Sequence, residues 1–185
     1  MGVPERLIFG SSVEALLKTA SGKVSKDTDA KLRRLGMALD RKLEPAYPAT
    51  NWAEAVRLIG ADLFPNESPE KQANKLARLT VKNFAETVMG KAMFTAARVF
   101  GARRSLQRMT HNLRTGANFI ETRFTEIDET THELWISDVS GVPGFYAGLV
   151  EAGSDFMEGW VHEMRIKQLD GPGCLYELKS AKPSR

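Results

Sequence analysis

At Gly116 the spacing of apolar residues changes from a helical period of about 3.6 to strict alternation. That switch constrains the fold class more than any other feature of the chain. Beyond it, Phe119 to Ile127 and His132 to Val139 alternate and are rich in β-branched and aromatic residues, as half-buried strands are. Asp128-Glu129-Thr130-Thr131 forms the turn between them. Gly141-Val142-Pro143-Gly144 leads into a helix from Phe145 to about Met157. A second hairpin follows, Val161 to Leu169 and Cys174 to Ser180, across Asp170-Gly171-Pro172-Gly173. The expectation is one α+β domain over residues 1–185, with a helical part over 1–116 and a ββαββ antiparallel sheet unit over 117–181.

The helical part reads as a series of capped segments. Leu7-Ile8-Phe9 is a short extended arm running into a helix through Leu16 and Leu17, with Ser11 or Ser12 as its cap. Lys26 to Leu39 reads as a second helix, and the prolines of Glu44-Pro45-Ala46-Tyr47-Pro48 then force an extended or turned segment. Thr50 or Asn51 caps a third helix carrying Trp52, Val56, Ile59 and Leu63. Ser68-Pro69 opens a fourth. Its periodicity continues to about Phe100, with Gly90 as the candidate break, and Arg103 to Thr115 makes a further helix that Gly116 stops. Trp52, Phe84, Phe94, Phe100, Phe119, Trp135, Phe145, Tyr146, Phe156 and Trp160 sit at the joins, and most of them are expected in the core, Trp135 and Phe145 in particular.

At 42% hydrophobic and 26% charged, the chain lies far from disordered compositions. Cys174 is the only cysteine, so one chain forms neither a disulfide nor a thiolate zinc site. No stretch approaches the roughly 18 apolar residues of a membrane span, and Met1 to Phe9 lacks the layout of a signal peptide. A cytoplasmic protein without a membrane span is expected.

Templates for phosphate-binding loops, dinucleotide folds, HExxH metal sites, GxSxG nucleophiles and calcium loops all fail. His111, His132 and His162 are scattered over a helix and two strands, which suits surface residues rather than a shared metal. No enzyme, metal or cofactor is therefore expected.

Charge is unevenly distributed. Residues 1–83 carry 14 basic against 10 acidic side chains, residues 84–116 six against one, residues 117–163 one against ten, and the remainder five against two. Within the basic segment, Arg104, Arg108 and His111 recur at i, i+4 and i+7, with Arg103 and Arg114 nearby. These five are the candidate ligand- or partner-binding residues, since arginine suits phosphate and carboxylate geometry. The competing reading pairs them internally with Glu121, Glu126 and neighbouring acids. Nucleic acid is disfavoured as a partner, because the acidic segment repels a phosphate backbone on any shared surface.

Several segments together resemble an expanded myxobacterial paralogous family of domains of unknown function. They are Leu7-Ile8-Phe9-Gly10-Ser11, Pro45-Ala46-Tyr47-Pro48, Asn112-Leu113-Arg114-Thr115-Gly116-Ala117-Asn118, Glu133-Leu134-Trp135 and Gly144-Phe145-Tyr146-Ala147-Gly148. In architecture the chain is also similar to the superfamily of haem-nitric-oxide-binding domains, 4-vinyl-reductase-type domains and TRAPP small subunits. The resemblance implies a non-catalytic regulatory or sensory domain that binds a small, apolar ligand or a protein partner, often as a homodimer. The alternatives are a protein-protein adaptor without a small ligand, and a nucleotide or nucleic-acid binder acting through 101–116. In that superfamily a haem-ligating histidine would stand near His111, but the Tyr-x-Ser-x-Arg propionate clamp is absent, with Phe119-Ile120-Glu121-Thr122-Arg123 near its place.

Overall fold

Proline-enforced extension at Ala46–Pro48 (β2) is used directly: it pairs antiparallel with Leu7–Phe9 (β1), with Ile8 opposite Tyr47. The computed structural model describes residues 5–157 and 159–180, so the expectations for the two chain ends fall outside the described residues. β1 runs straight into Gly10–Ala20 (α1) with no side-chain cap, so neither Ser11 nor Ser12 plays that part. The chain returns to β1 after the helical half. Phe9 N donates to the Gly116 carbonyl at 2.8 Å, and the Asn118 side chain accepts from Leu7 N and donates to the Glu5 carbonyl. The amide of Asn118 thus substitutes for a strand partner where the two halves meet.

Lys26–Arg34 (α2) is capped by Ser25 and stops short of the predicted Leu39, turning at Gly36 so that Met37 is buried. Ala49–Leu63 (α3) starts one residue ahead of the predicted caps, with Thr50 and Asn51 inside its first turn. Pro69–Ala85 (α4) begins as the sequence reads, with Ser68 accepting from Lys71 N. The long helix expected to reach Phe100 is two helices. Thr87 accepts from Gly90 N and caps Val88–Phe100 (α5), so the break precedes Gly90. The helix expected over Arg103 to Thr115 is likewise two short ones, Ala102–Gln107 (α6) and Met109–Arg114 (α7), parted at Arg108.

The second half is the expected ββαββ unit. Thr122–Glu126 (β3) and Thr131–Ile136 (β4) form one hairpin, Pro143–Asp155 (α8) crosses over, and Val161–Asp170 (β5) and Gly173–Ser180 (β6) form the other. The antiparallel order is β3-β4-β6-β5, with β6 beside β4 in the middle. On one sheet face His132, Leu134, Ile136, Cys174, Tyr176 and Leu178 are fully buried. On the other face Glu133 meets Lys167 and Glu177 meets Arg165. Trp135 belongs to this outer face, only partly buried under the Arg123 guanidinium 5.2 Å from its ring centroid. Its expected place in the core is therefore wrong: alternation assigns Leu134 and Ile136 to one side and Trp135 to the other.

α8 is buried nearly all round, between α4 and the sheet. Close approach to α4 depends on two glycines: a Cβ on Gly144 would lie 2.2 Å from the Glu70 carbonyl oxygen, and one on Gly148 2.3 Å from that of Asn74. Phe145 meets the edge of Trp52 from α3 at 5.1 Å, and Tyr176 donates its hydroxyl to the Pro143 carbonyl at 2.8 Å. A single apolar cluster runs from α1 and α3 through α8 to the sheet.

Candidate functional site

α5 to α7 lie at the edge of this core, and among the described residues little holds α5 down. Phe94 stacks on Phe156 at 4.2 Å and meets the edge of Phe84, forming with Val81, Ala85 and Ala152 a small cluster separate from the main core. Arg98 adds one bond, Nε to the Phe156 carbonyl. The opposite side of α5 is apolar and bare. Val88 is 88% exposed, Val99 79%, Phe100 47% and Met93 42%, with Ala92 and Ala96 exposed between them. Phe100 is thereby removed from the expected core. At about 3.6 residues per turn these side chains share the face turned away from Phe94.

The five basic candidates divide into two groups. Arg103 grips the Glu126 carboxylate through Nε and Nη2, and Arg114 reaches Glu121 at 2.8 Å and the Ile120 carbonyl at 3.1 Å. Both tie the helices to the start of the sheet. Arg104, Arg108 and His111 are exposed, and Arg108 lies 5.5 Å over the Phe100 ring. The break at Arg108, with φ −93° and ψ 7°, interrupts the continuous i, i+4, i+7 ridge that the sequence suggested. Between Glu86 and Glu121 the chain contains no acidic residue, a run that covers α5, α6 and α7 completely. Its cations therefore have no acid of their own segment beside them.

Several of the protein's own side chains lie between these helices and the sheet. Leu106 of α6 is buried, and below it the rings of Phe124, His132 and Trp160 stack at 5.4 and 4.7 Å. His132 has no exposed surface, correcting its reading as a surface histidine, and its Nε2 lies 3.2 Å from Ser180 Oγ. Burial pushes its imidazole below the ordinary histidine range. His111 points to solvent. Arg123 lies on the outer sheet face, turned from the junction. In Trp135-Ile136-Ser137-Asp138-Val139 a serine does stand at the middle of the clamp pattern, but tryptophan and valine replace tyrosine and arginine. The Ser137 hydroxyl is taken by Glu121 N at 2.9 Å, and Val139 is core. These residues do not fit haem.

On the outer sheet face Arg123, Glu133, Trp135, Gln168 and Asp170 line an open cavity of about 250 Å³. Its walls are mostly polar, and Glu133 is already engaged by Lys167. Among the described residues no group of three or more His, Cys, Asp or Glu side chains gathers as a metal site, and no helix is long and apolar enough to cross a membrane.

Known structures share this architecture. A Cs H-NOX variant carrying 4-cyano-L-phenylalanine is 19% identical, covers 95% of this chain and 98% of its own, and has a TM-score of 0.68. A point variant of the T. tengcongensis H-NOX protein is 18% identical over 95% of this chain and 97% of that one, at a TM-score of 0.62. An oxygen-binding H-NOX domain related to soluble guanylate cyclases, solved as its oxygen complex, is 16% identical over 94% and 93%, with a TM-score of 0.63. At these identities the likeness establishes an H-NOX-like α+β fold. No curated protein matches the chain. Residues 6–179 match the model of a family described as a protein of unknown function, DUF2378, and the chain belongs to that family.

Proposed function

We propose that this chain is a non-catalytic regulatory domain of the cytoplasm that uses the H-NOX-like fold without haem and acts by presenting α5 to α7 to a partner. The observation that carries this reading is the division among the cations. Arg103 and Arg114 hold the helices to the sheet, while Arg104 and Arg108 stand exposed, with Arg108 over the ring of Phe100. A surface helix that served only the fold would turn its apolar residues inward. An apolar ligand between helices and sheet has less support, because the stacked rings of Phe124, His132 and Trp160 and the buried side chain of Leu106 belong to that region.

The double variant Arg104→Glu/Arg108→Glu tests this reading. Both side chains are exposed, so the urea midpoint should stay within experimental error of the parent, while macromolecules that co-purify from the host should be lost. A variant that keeps its midpoint and every associated species overturns the proposal.

A further inference from the structure

We propose that the partner of α5 to α7 is an anionic bilayer surface, with α5 lying in the interface and the arginines beyond it on lipid phosphates. The inference rests on the reading of these helices as the working face and names what that face meets.

Three observations point to it. The outward side of α5 is a ridge rather than a groove: Val88 and Val99 project almost fully, at 88% and 79% exposure. A partner helix desolvates such side chains only if it brings walls of its own, whereas acyl chains and headgroups deform around them. Second, cations border the ridge, with Lys91 and Arg98 along one flank and Arg104 and Arg108 past its C-terminal end, all exposed. Third, the whole stretch lacks acidic residues. This sign pattern complements an anionic surface and opposes self-pairing, since a two-fold contact through α5 would set the cations of two copies against each other.

The parts have separate tasks. Phe94, stacked on Phe156, anchors α5 so that Val88, Val99 and Phe100 face outward together. Arg108, lying over Phe100, holds a guanidinium at the level where an aromatic ring enters the headgroup layer.

Sedimentation of the full chain with phosphatidylcholine vesicles, with and without phosphatidylglycerol, tests the proposal. Binding is expected only with phosphatidylglycerol and should weaken at high salt. Val99→Glu/Phe100→Glu should lower the bound fraction at least tenfold, and Arg104→Glu/Arg108→Glu should do the same. Urea midpoints equal to the parent's would show that each variant folds. Failure to bind anionic vesicles overturns the inference, as does equal binding to both vesicle types. Undiminished binding by the Val99/Phe100 variant overturns it too, because that result leaves only diffuse attraction between charges. If vesicles fail while the arginine reversal still strips macromolecules from the host-purified protein, the regulatory face stands and a protein occupies it.

Discussion

His132 is buried between two aromatic rings, and its Nδ1 has no hydrogen-bond partner among the described residues. Burial lowers its proton affinity, with Arg103 and Lys179 acting in the same direction and Glu126 and Asp128 opposing. The native imidazole is therefore held neutral while the unfolded one takes a proton near its ordinary value of 6.5. A base with a depressed native pKa contributes stability in full above the unfolded value and loses it as pH falls below, by up to about 1.4 kcal/mol per pH unit for one proton. Acidification from about pH 7 to about pH 5 should thus lower the urea midpoint of the parent relative to that of His132→Phe. A difference that does not change with pH would show that His132 does not titrate on unfolding. Two aromatic residues give a second contrast. Phe145→Ala should cost about 3–5 kcal/mol, because the ring is buried against Trp52. Trp135→Ala should cost about 1 kcal/mol, the scale of a partly exposed cation–π contact. Equal urea midpoints for the two variants would contradict the placement of Trp135 on the outer face.

Among the elements, α8 joins the halves, since it is buried against α4 on one side and the sheet on the other. The Gly144 and Gly148 backbones touch α4 carbonyls, so a methyl group there must push the helices apart. Gly148→Ala should destabilise by about 1–3 kcal/mol, as overpacking of a filled interior does. Gly153 lies in the same helix with nothing within 4 Å of where its Cβ would be. Gly153→Ala should be neutral or stabilising by up to about 1 kcal/mol, from helix propensity alone. Thermal melts of the two single variants check the pair, and a loss at both positions would mean that α8 tolerates no added methyl anywhere. α5 is the opposite kind of element: one aromatic anchor and a separate small cluster hold it, which suits a part that meets something outside the fold.

At the scale of the molecule, the acidic segment is largely neutralised by cations from elsewhere in the chain. Arg6 meets Asp138, Arg78 bridges Glu151 and Asp155, Arg103 and Arg114 take Glu126 and Glu121, and Lys167 takes Glu133. Among the described residues, Arg104 and Arg108 make no such ion pair. The same packing argues against a prosthetic group, because the Phe124, His132 and Trp160 rings already occupy the side of the sheet that faces α6. Incubation with haem should give no stable Soret band. A band that His111→Ala abolishes would show that the helices open and that the stack yields to the ring.

Local chemistry determined much of this protein. The period change at Gly116, the turn signals around Asp128 and Gly171, the Ser68-Pro69 start and the extended prolines specify the elements and their order, because each acts within a few residues of itself. Sequence also singled out Arg103, Arg104, Arg108, His111 and Arg114. Only the tertiary structure decided which of them are free, since Glu121 and Glu126 reach their partners through the way β3 passes beneath α6 and α7. It likewise decided the side of Trp135 and the burial of His132. Alternation separates two faces of a strand without saying which one the rest of the chain will cover, and here it is the face of His132, Leu134 and Ile136 that is buried. The bare face of α5 was hidden for the same reason: a helical period marks an apolar stripe as available for burial, and contacts between distant segments determine whether anything buries it.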